Sequence, residues 1–208
     1  MYVAFLRSIN IGGRRVKSPE LVAVFESLGL EDVSTFLASG NVLFAAASGV
    51  PLSSGVPGSS DASVVAPKVE SPNLSTLTAE LEAALGRELG YDVPVTIRRR
   101  PQLESLAMNP AFAQALTQDP DRKPQVMFSL TAPVSTNDDS LRAAVDNLPD
   151  LLIWHDQDVL WLPPGGISNS ALDLRALERS IGAFTVRTTN TVRRLLTKMP
   201  PSAEQPER

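Results

Sequence analysis

Tyr2-Val3-Ala4-Phe5-Leu6-Arg7-Ser8-Ile9-Asn10-Ile11-Gly12-Gly13-Arg14-Arg15-Val16-Lys17-Ser18-Pro19-Glu20 decides how the rest of the chain is read. Tyr2 to Leu6 is a short β-prone apolar run, which predicts a first strand ending near Arg7. Ser18-Pro19-Glu20 is a helix start, with Ser as N-cap, Pro at the first helical position and an acid in the first turn. Between them lies a loop with two glycines beside Arg7, Arg14, Arg15 and Lys17. A strand, a glycine loop and a helix in that order open an α and β mixed unit.

Outward from this opening the alternation continues. Leu21, Val24, Phe25 and Leu28 recur at helical spacing, and Gly29 is a natural stop. Val33 to Leu37 and Val42 to Ala46 read as a hairpin about Ser39-Gly40-Asn41. Leu77, Leu81, Leu85 and Leu89 form one stripe of a helix closing at Gly90, and Val93 to Arg98 is the next strand. The order is β-α-β-β-α-β. Two short helices, Pro101 to Met108 and Pro110 to Leu116, are separated at Asn109-Pro110. The order then repeats: strand Gln125 to Leu130, a helix capped at Asn137, a hairpin of Leu151–Trp154 and Val159–Leu162, a helix capped at Ser170, and strand Phe184 to Arg187. A final helix starts near Asn190. The reading is an α+β fold of two tandem ferredoxin-like βαββαβ subdomains with antiparallel sheets, an internal duplication, plus a C-terminal helix. The halves show no obvious sequence identity.

The expected organisation is a first subdomain over 1–100, a helical linker over 101–124, a second subdomain over 125–199 and a polar tail over 200–208. Residues 47–73 are rich in Ser, Gly, Pro, Ala and Val and read as a flexible surface insertion. We expect the two sheets to lie close together as one compact body.

Composition excludes several function classes. The 208 residues carry a formal net charge of -4, so the chain as a whole is not a basic nucleic-acid glove. Cysteine is absent, which removes disulfides, thiolate metal sites and cysteine nucleophiles. One histidine, His155, leaves no multi-histidine cage, and no pattern calls for a cofactor. No run approaches the ~20 apolar residues of a membrane span. With no basic region leading into a long apolar one at the N-terminus, a cytosolic protein is expected.

Leu6-Arg7-Ser8-Ile9-Asn10-Ile11-Gly12-Gly13, followed by Leu37-Ala38-Ser39-Gly40-Asn41-Val42-Leu43-Phe44, resembles the opening of a bacterial family known as domain of unknown function 1697. Asn109-Pro110, the stretch Pro163 to Ser170 and the stretch Thr185 to Val192 are similar to later landmarks of that family. The resemblance implies an α+β protein of two subdomains with no established activity. The family carries Gly where this chain has Ser8, cations where it has Ser168-Asn169-Ser170-Ala171, and Asn-Trp where it has Thr188-Thr189.

Chemistry concentrates in the first loop. Gly12 and Gly13 let backbone approach a ligand or form a nest of N–H groups, and Arg7 and Lys17 supply charge for phosphate or carboxylate. Asn10, Ser39, Asn41, Arg187 and Asn190 complete the candidate anion site. In a ferredoxin-like half we expect the β1–α1 loop and the β2–β3 turn at opposite ends of the sheet, which separates Asn41 from the glycine loop. His155, Asp156 and Asp158 read as a metal or acid–base cluster, or as an ordinary acidic hairpin turn. Arg98, Arg99 and Arg100 read as solvated edge cations. Three functions stay open: a binder of a small anionic ligand, an enzyme acting on a phosphorylated or carboxylated small molecule, and a nucleic-acid or protein-interaction module. No Asp, Glu or His is placed as a general base. The strands lack an RNA-recognition signature of exposed aromatics, which argues against nucleic acid. The sequence leaves oligomeric state open.

Overall fold

A computed structural model of the chain describes residues 1–10, 15–37, 40–46, 73–131 and 138–201. Most of the 47–73 insertion, the Asn137 cap and the end of the tail lie outside the described residues, as do Gly12, Gly13 and Ser39. The first half contains β1 (Tyr2–Leu6), α1 (Ser18–Ser27), β2 (Leu30–Phe36), β3 (Asn41–Ala46), α2 (Leu74–Leu89) and β4 (Val95–Arg99). Next come α3 (Arg100–Ala107) and α4 (Pro110–Gln118). The second half contains β5 (Gln125–Ser129), α5 (Asp138–Ala144), β6 (Leu151–His155), β7 (Asp158–Leu162), α6 (Leu174–Ile181) and β8 (Phe184–Thr188), and α7 (Thr189–Leu196) follows.

The strands form two antiparallel sheets, ordered β2-β3-β1-β4 and β6-β7-β5-β8. That is the expected pair of ferredoxin-like βαββαβ units with a C-terminal helix. All five residues of β1, β5 and β7 are buried. A strand covered on both faces needs an unbroken apolar run, not an alternating one. In β1, Tyr2, Ala4 and Leu6 face α1 and α2, packing with Phe25, Leu81 and Leu85. Val3 and Phe5 point the other way, into a core shared with Val126, Phe128 and Leu160 of the second sheet. Met127, Val159 and Trp161 face α5 and α6. The two sheets therefore pack face to face, with Phe5 stacked on Phe128 at 4.0 Å between ring centroids.

The halves are related by a pseudo-two-fold passing near that stack. α3 follows β4 as α7 follows β8, the two helices touch, and both feed the shared core through Leu103, Leu106, Val192 and Leu195. Arg100 ties them: it pairs with Glu104 and donates to the carbonyls of Leu196 and Met199. The edge strand β2 breaks register between Glu31 and Ser34, with Asp32 at φ 50°, a bulge that blunts the edge.

Three helix starts differ from expectation. α1 begins at Ser18 itself, and Glu20 accepts the Lys17 N–H at 3.0 Å. α6 is capped by Asp173, whose carboxylate accepts from the N–H groups of Arg175 and Ala176. Residues 167–169 form a 3-10 turn that stops short of the helix, so Ser170 is not the cap. α7 is capped by Thr188, which leaves Asn190 as an exposed residue of the first turn. All three N-cap residues have extended backbone; the Asp173 and Thr188 side chains accept helix N–H groups, whereas Lys17 makes no side-chain cap bond.

Candidate functional site

β3 runs antiparallel to β1, so it begins where β1 ends: Phe5 is paired with Asn41, and Leu6 N–H donates to Gly40 O at 2.8 Å. The β1–α1 loop and the β2–β3 turn consequently lie at the same end of the sheet, correcting the expected separation. Gly40 sits at φ 71°, and a Cβ there would lie 3.1 Å from Leu6 O. The turn is packed directly on the strand end.

Arg7, Asn10, Asn41 and Arg187 surround this junction. Arg7 N–H bonds Pro94 O, and the guanidinium makes a bidentate pair with Glu178 of α6, the second contact being 3.0 Å. Hydrogen bonding to Arg7 holds the Glu178 carboxyl below its ordinary range and raises Arg7 in turn, with partial burial opposing both. Arg7 is therefore committed to tying the first loop to the second half. Ser8 and Asn10 adopt left-handed backbone, at φ 62° and 58°. Asn10 Oδ1 accepts Val16 N–H at 2.7 Å and so closes the loop. Lys17 is exposed.

Arg187 reaches this junction from β8 and is 9% exposed. Its Nε donates to Asn41 Oδ1 at 2.6 Å, Nη1 to Thr185 Oγ1 and Val186 O at 2.8 Å each, and Nη2 to Leu6 O at 2.9 Å. Gly40 O lies at the long limit, 3.5 Å from Nη2. Asn41 is wholly buried and donates its amide to Phe36 O. Desolvation lowers Arg187 to about 10, which leaves it charged at neutral pH.

The pseudo-two-fold repeats this arrangement at the far end. Arg98 donates through Nη1 to Thr96 Oγ1 and Ile97 O, and through Nη2 to Ser129 O, as Arg187 does to Thr185, Val186 and Leu6. Arg98 stands 5.7 Å from the Phe128 ring, and Arg187 stands 5.7 Å from the Phe5 ring. The partner differs. Where Arg187 meets the Asn41 amide, Arg98 meets a carboxylate: Nε bonds Asp158 Oδ2 at 2.8 Å, and Nη2 bonds Asp158 Oδ1. Asp158 Oδ1 also accepts Ser129 N–H at 2.9 Å. In the first half Gly40 O takes that second oxygen's place, accepting from Leu6 N–H. Arg98 Nε thus meets a carboxylate where Arg187 Nε meets an amide. Arg98, read from sequence as a solvated edge cation, is 3% exposed. The signal for it was present: Thr96-Ile97-Arg98 and Thr185-Val186-Arg187 are the same Thr-x-Arg pattern at matching strand ends.

The remaining candidates separate. In the β6–β7 turn, Asp158 belongs to Arg98, Asp156 is exposed, and His155 faces Ser105 and Asn109. Three groups aimed at different partners do not form one metal or acid–base centre. In the second glycine loop, Ser170 Oγ donates to Asp150, which also accepts from Trp161 Nε1, both at 2.7 Å. A groove of about 490 Å³ lies between α1 and α2, lined by Glu20, Val24, Arg87 and Glu88, and is separate from the arginine junctions.

The class defined by this fold is a duplicated ferredoxin-like α+β protein whose halves are clamped by buried arginines. The family model described as Protein of unknown function (DUF1697) matches residues 1–52, from β1 through β3. The resemblance read from the two N-terminal motifs holds over that stretch, and the later landmarks lie outside it. A solved structure, that of a conserved bacterial protein from Streptococcus pneumoniae, is similar with a TM-score of 0.56 and 17% identity, covering 95% of this chain and 96% of that one. At such identity the likeness concerns the fold alone. No curated protein matches the chain. Among the described residues no helix is long and apolar enough to cross a membrane.

Proposed function

We propose that the protein binds a small anionic ligand where the β1–α1 loop meets the β2–β3 turn, with Arg187 supplying positive charge from beneath. The supporting observation is the inequality of the two staples: at one junction a carboxylate neutralises the buried guanidinium, and at the other a neutral amide takes its place. Arg187 is charged and buried beneath the junction, where low dielectric strengthens its field. Arg187 gives its N–H groups to protein acceptors, so its contribution to a ligand is charge. Direct contacts would come from the loop around Gly12 and Gly13, from Asn10 and from Ser39. Lys17 lies on the chain leaving that loop. Arg7, held by Glu178, fixes the loop's base instead of meeting the ligand, and Asn190 has no part in this reading.

The test is a thermal-shift screen of phosphorylated and carboxylated metabolites at constant ionic strength, on wild type and on Asn41→Asp. The substitution places a carboxylate on Arg187 as Asp158 is placed on Arg98. Wild type is expected to be stabilised by a subset of the anions and Asn41→Asp by none of them. Equal shifts in both proteins, or no shift in wild type, would remove the proposal.

A further inference from the structure

Ser105 on α3, Asn109 at the α3–α4 joint and His155 at the end of β6 form one hydrogen-bonded row. His155 Nε2 lies 2.8 Å from Ser105 Oγ, and Nδ1 lies 3.0 Å from Asn109 Nδ2. Hydroxyl, imidazole and amide are the residue types of a nucleophilic triad, but the proton positions are wrong for one. Asn109 Oδ1 accepts the Ala111 N–H at 2.9 Å as the cap of α4, which turns its Nδ2 toward the ring. An amide nitrogen only donates. Nδ1 must then be the unprotonated acceptor, and the neutral ring carries its proton on Nε2 and donates it to Ser105. The hydroxyl receives a hydrogen bond and has no base to take its own proton.

We propose instead that this row is a pH-sensitive latch: neutral His155 holds the α3–α4 connection against the β6–β7 turn, and protonated His155 releases it. A solvent proton added to Nδ1 makes it a donor, opposed to the two donors of Asn109 Nδ2. Flipping the amide would relieve the opposition only by turning an N–H at Ala111 and losing the α4 cap. On α3, Arg100 and Glu104 pair with each other. The sequence of α4, Pro-Ala-Phe-Ala-Gln-Ala-Leu-Thr-Gln, contains no charged residue. On β7, Asp158 is held by Arg98 and Ser129. Asp156 comes within 3.9 Å of Nε2, but it rides on the same turn as His155 and stays beside it whether the latch is closed or open. The latched segment is the covalent connection between β4 and β5, so its release loosens one tie between the two sheets.

His155 is the sole histidine, which makes its ring nitrogens directly assignable by NMR. At pH 8 the proton is expected on Nε2, with Nδ1 an acceptor. Between pH 8 and pH 5, amide protection at Met108, Asn109 and Ala111, corrected for intrinsic exchange, is expected to fall about fivefold, the worth of one net hydrogen bond. Asn109→Asp keeps the cap acceptor and offers an acceptor to protonated Nδ1, so its protection is expected to hold or rise over the same range. His155→Gln is expected to show no such step. A proton on Nδ1 at pH 8, unchanged wild-type protection, or an equal loss in wild type, Asn109→Asp and His155→Gln would overturn the latch.

Discussion

Arg98 and Arg187 occupy equivalent places in the two halves and differ in what answers their charge. Removing the carboxylate from a buried pair leaves an uncompensated cation, which typically costs about 3–5 kcal/mol. Asp158→Ala is expected to lose that much in urea denaturation. Asn41→Ala removes a hydrogen bond to a charged group but no counter-charge, and about 1.5–3 kcal/mol is expected. An Asn41→Ala cost equal to or above that of Asp158→Ala would mean that the two staples do not differ electrostatically. The half-exposed Arg7–Glu178 pair belongs in another range. Screening limits such pairs to about 1 kcal/mol or less, so Glu178→Gln should change stability only slightly at neutral pH. Its pH dependence has a definite sign. The Glu178 carboxyl is depressed in the folded state, so its contribution is complete above the ordinary value of 4.5 and is lost as pH falls below that. Acid titrations of wild type and Glu178→Gln should therefore converge at low pH, and a gap that widens on acidification would contradict the pairing.

At the scale of elements, most of the fold was legible because strand burial and helix stripes leave periodic marks. Tyr2 to Leu6 reads as a strand because it is central and apolar throughout, and Leu77, Leu81 and Leu85 read as a helix face because all three are buried. Caps were less legible, since Asp173 and Ser170, or Thr188 and Asn190, offer equivalent chemistry a few residues apart and only backbone geometry chooses between them. The meeting of two loops at the end of β1 was misread for a topological reason. The two loops are separated in sequence by α1 and β2, and their meeting depends on the antiparallel pairing of β3 with β1. Arg98 was misread because a strand-end arginine is solvated unless another sheet covers it; the Thr-x-Arg pattern shared by Arg98 and Arg187 marks the two strand ends as equivalent but does not by itself announce that sheet. The β2–β3 turn supplies the element-scale test. Gly40→Ala forces left-handed backbone on a residue with a Cβ, a cost of about 1–2 kcal/mol, and adds contacts of 3.1–3.3 Å to Leu6 and Ile9. Gly90→Ala has the same backbone strain, with nothing within 4 Å. Gly40→Ala should be the more destabilising of the two by denaturant melt, and parity would mean that the turn is not packed on β1.

For the molecule as a whole, duplication explains both its solidity and its asymmetry. Two half-sheets bury their second faces against each other around Phe5 and Phe128, and each half sends an arginine into the other at opposite ends of that interface. Strict symmetry would make the two junctions chemically equal. Asn41 in the place equivalent to Asp158 breaks the equality: Arg98 Nε meets a carboxylate where Arg187 Nε meets an amide. We propose that the junction above Arg187 holds an anion. Its most direct test is anomalous diffraction from crystals of wild type and Asn41→Asp soaked in selenate. A selenium peak is expected between the end of β1 and the β2–β3 turn in wild type and none there in Asn41→Asp. A wild type with no peak at that junction, or a peak of equal height in both proteins, would contradict it.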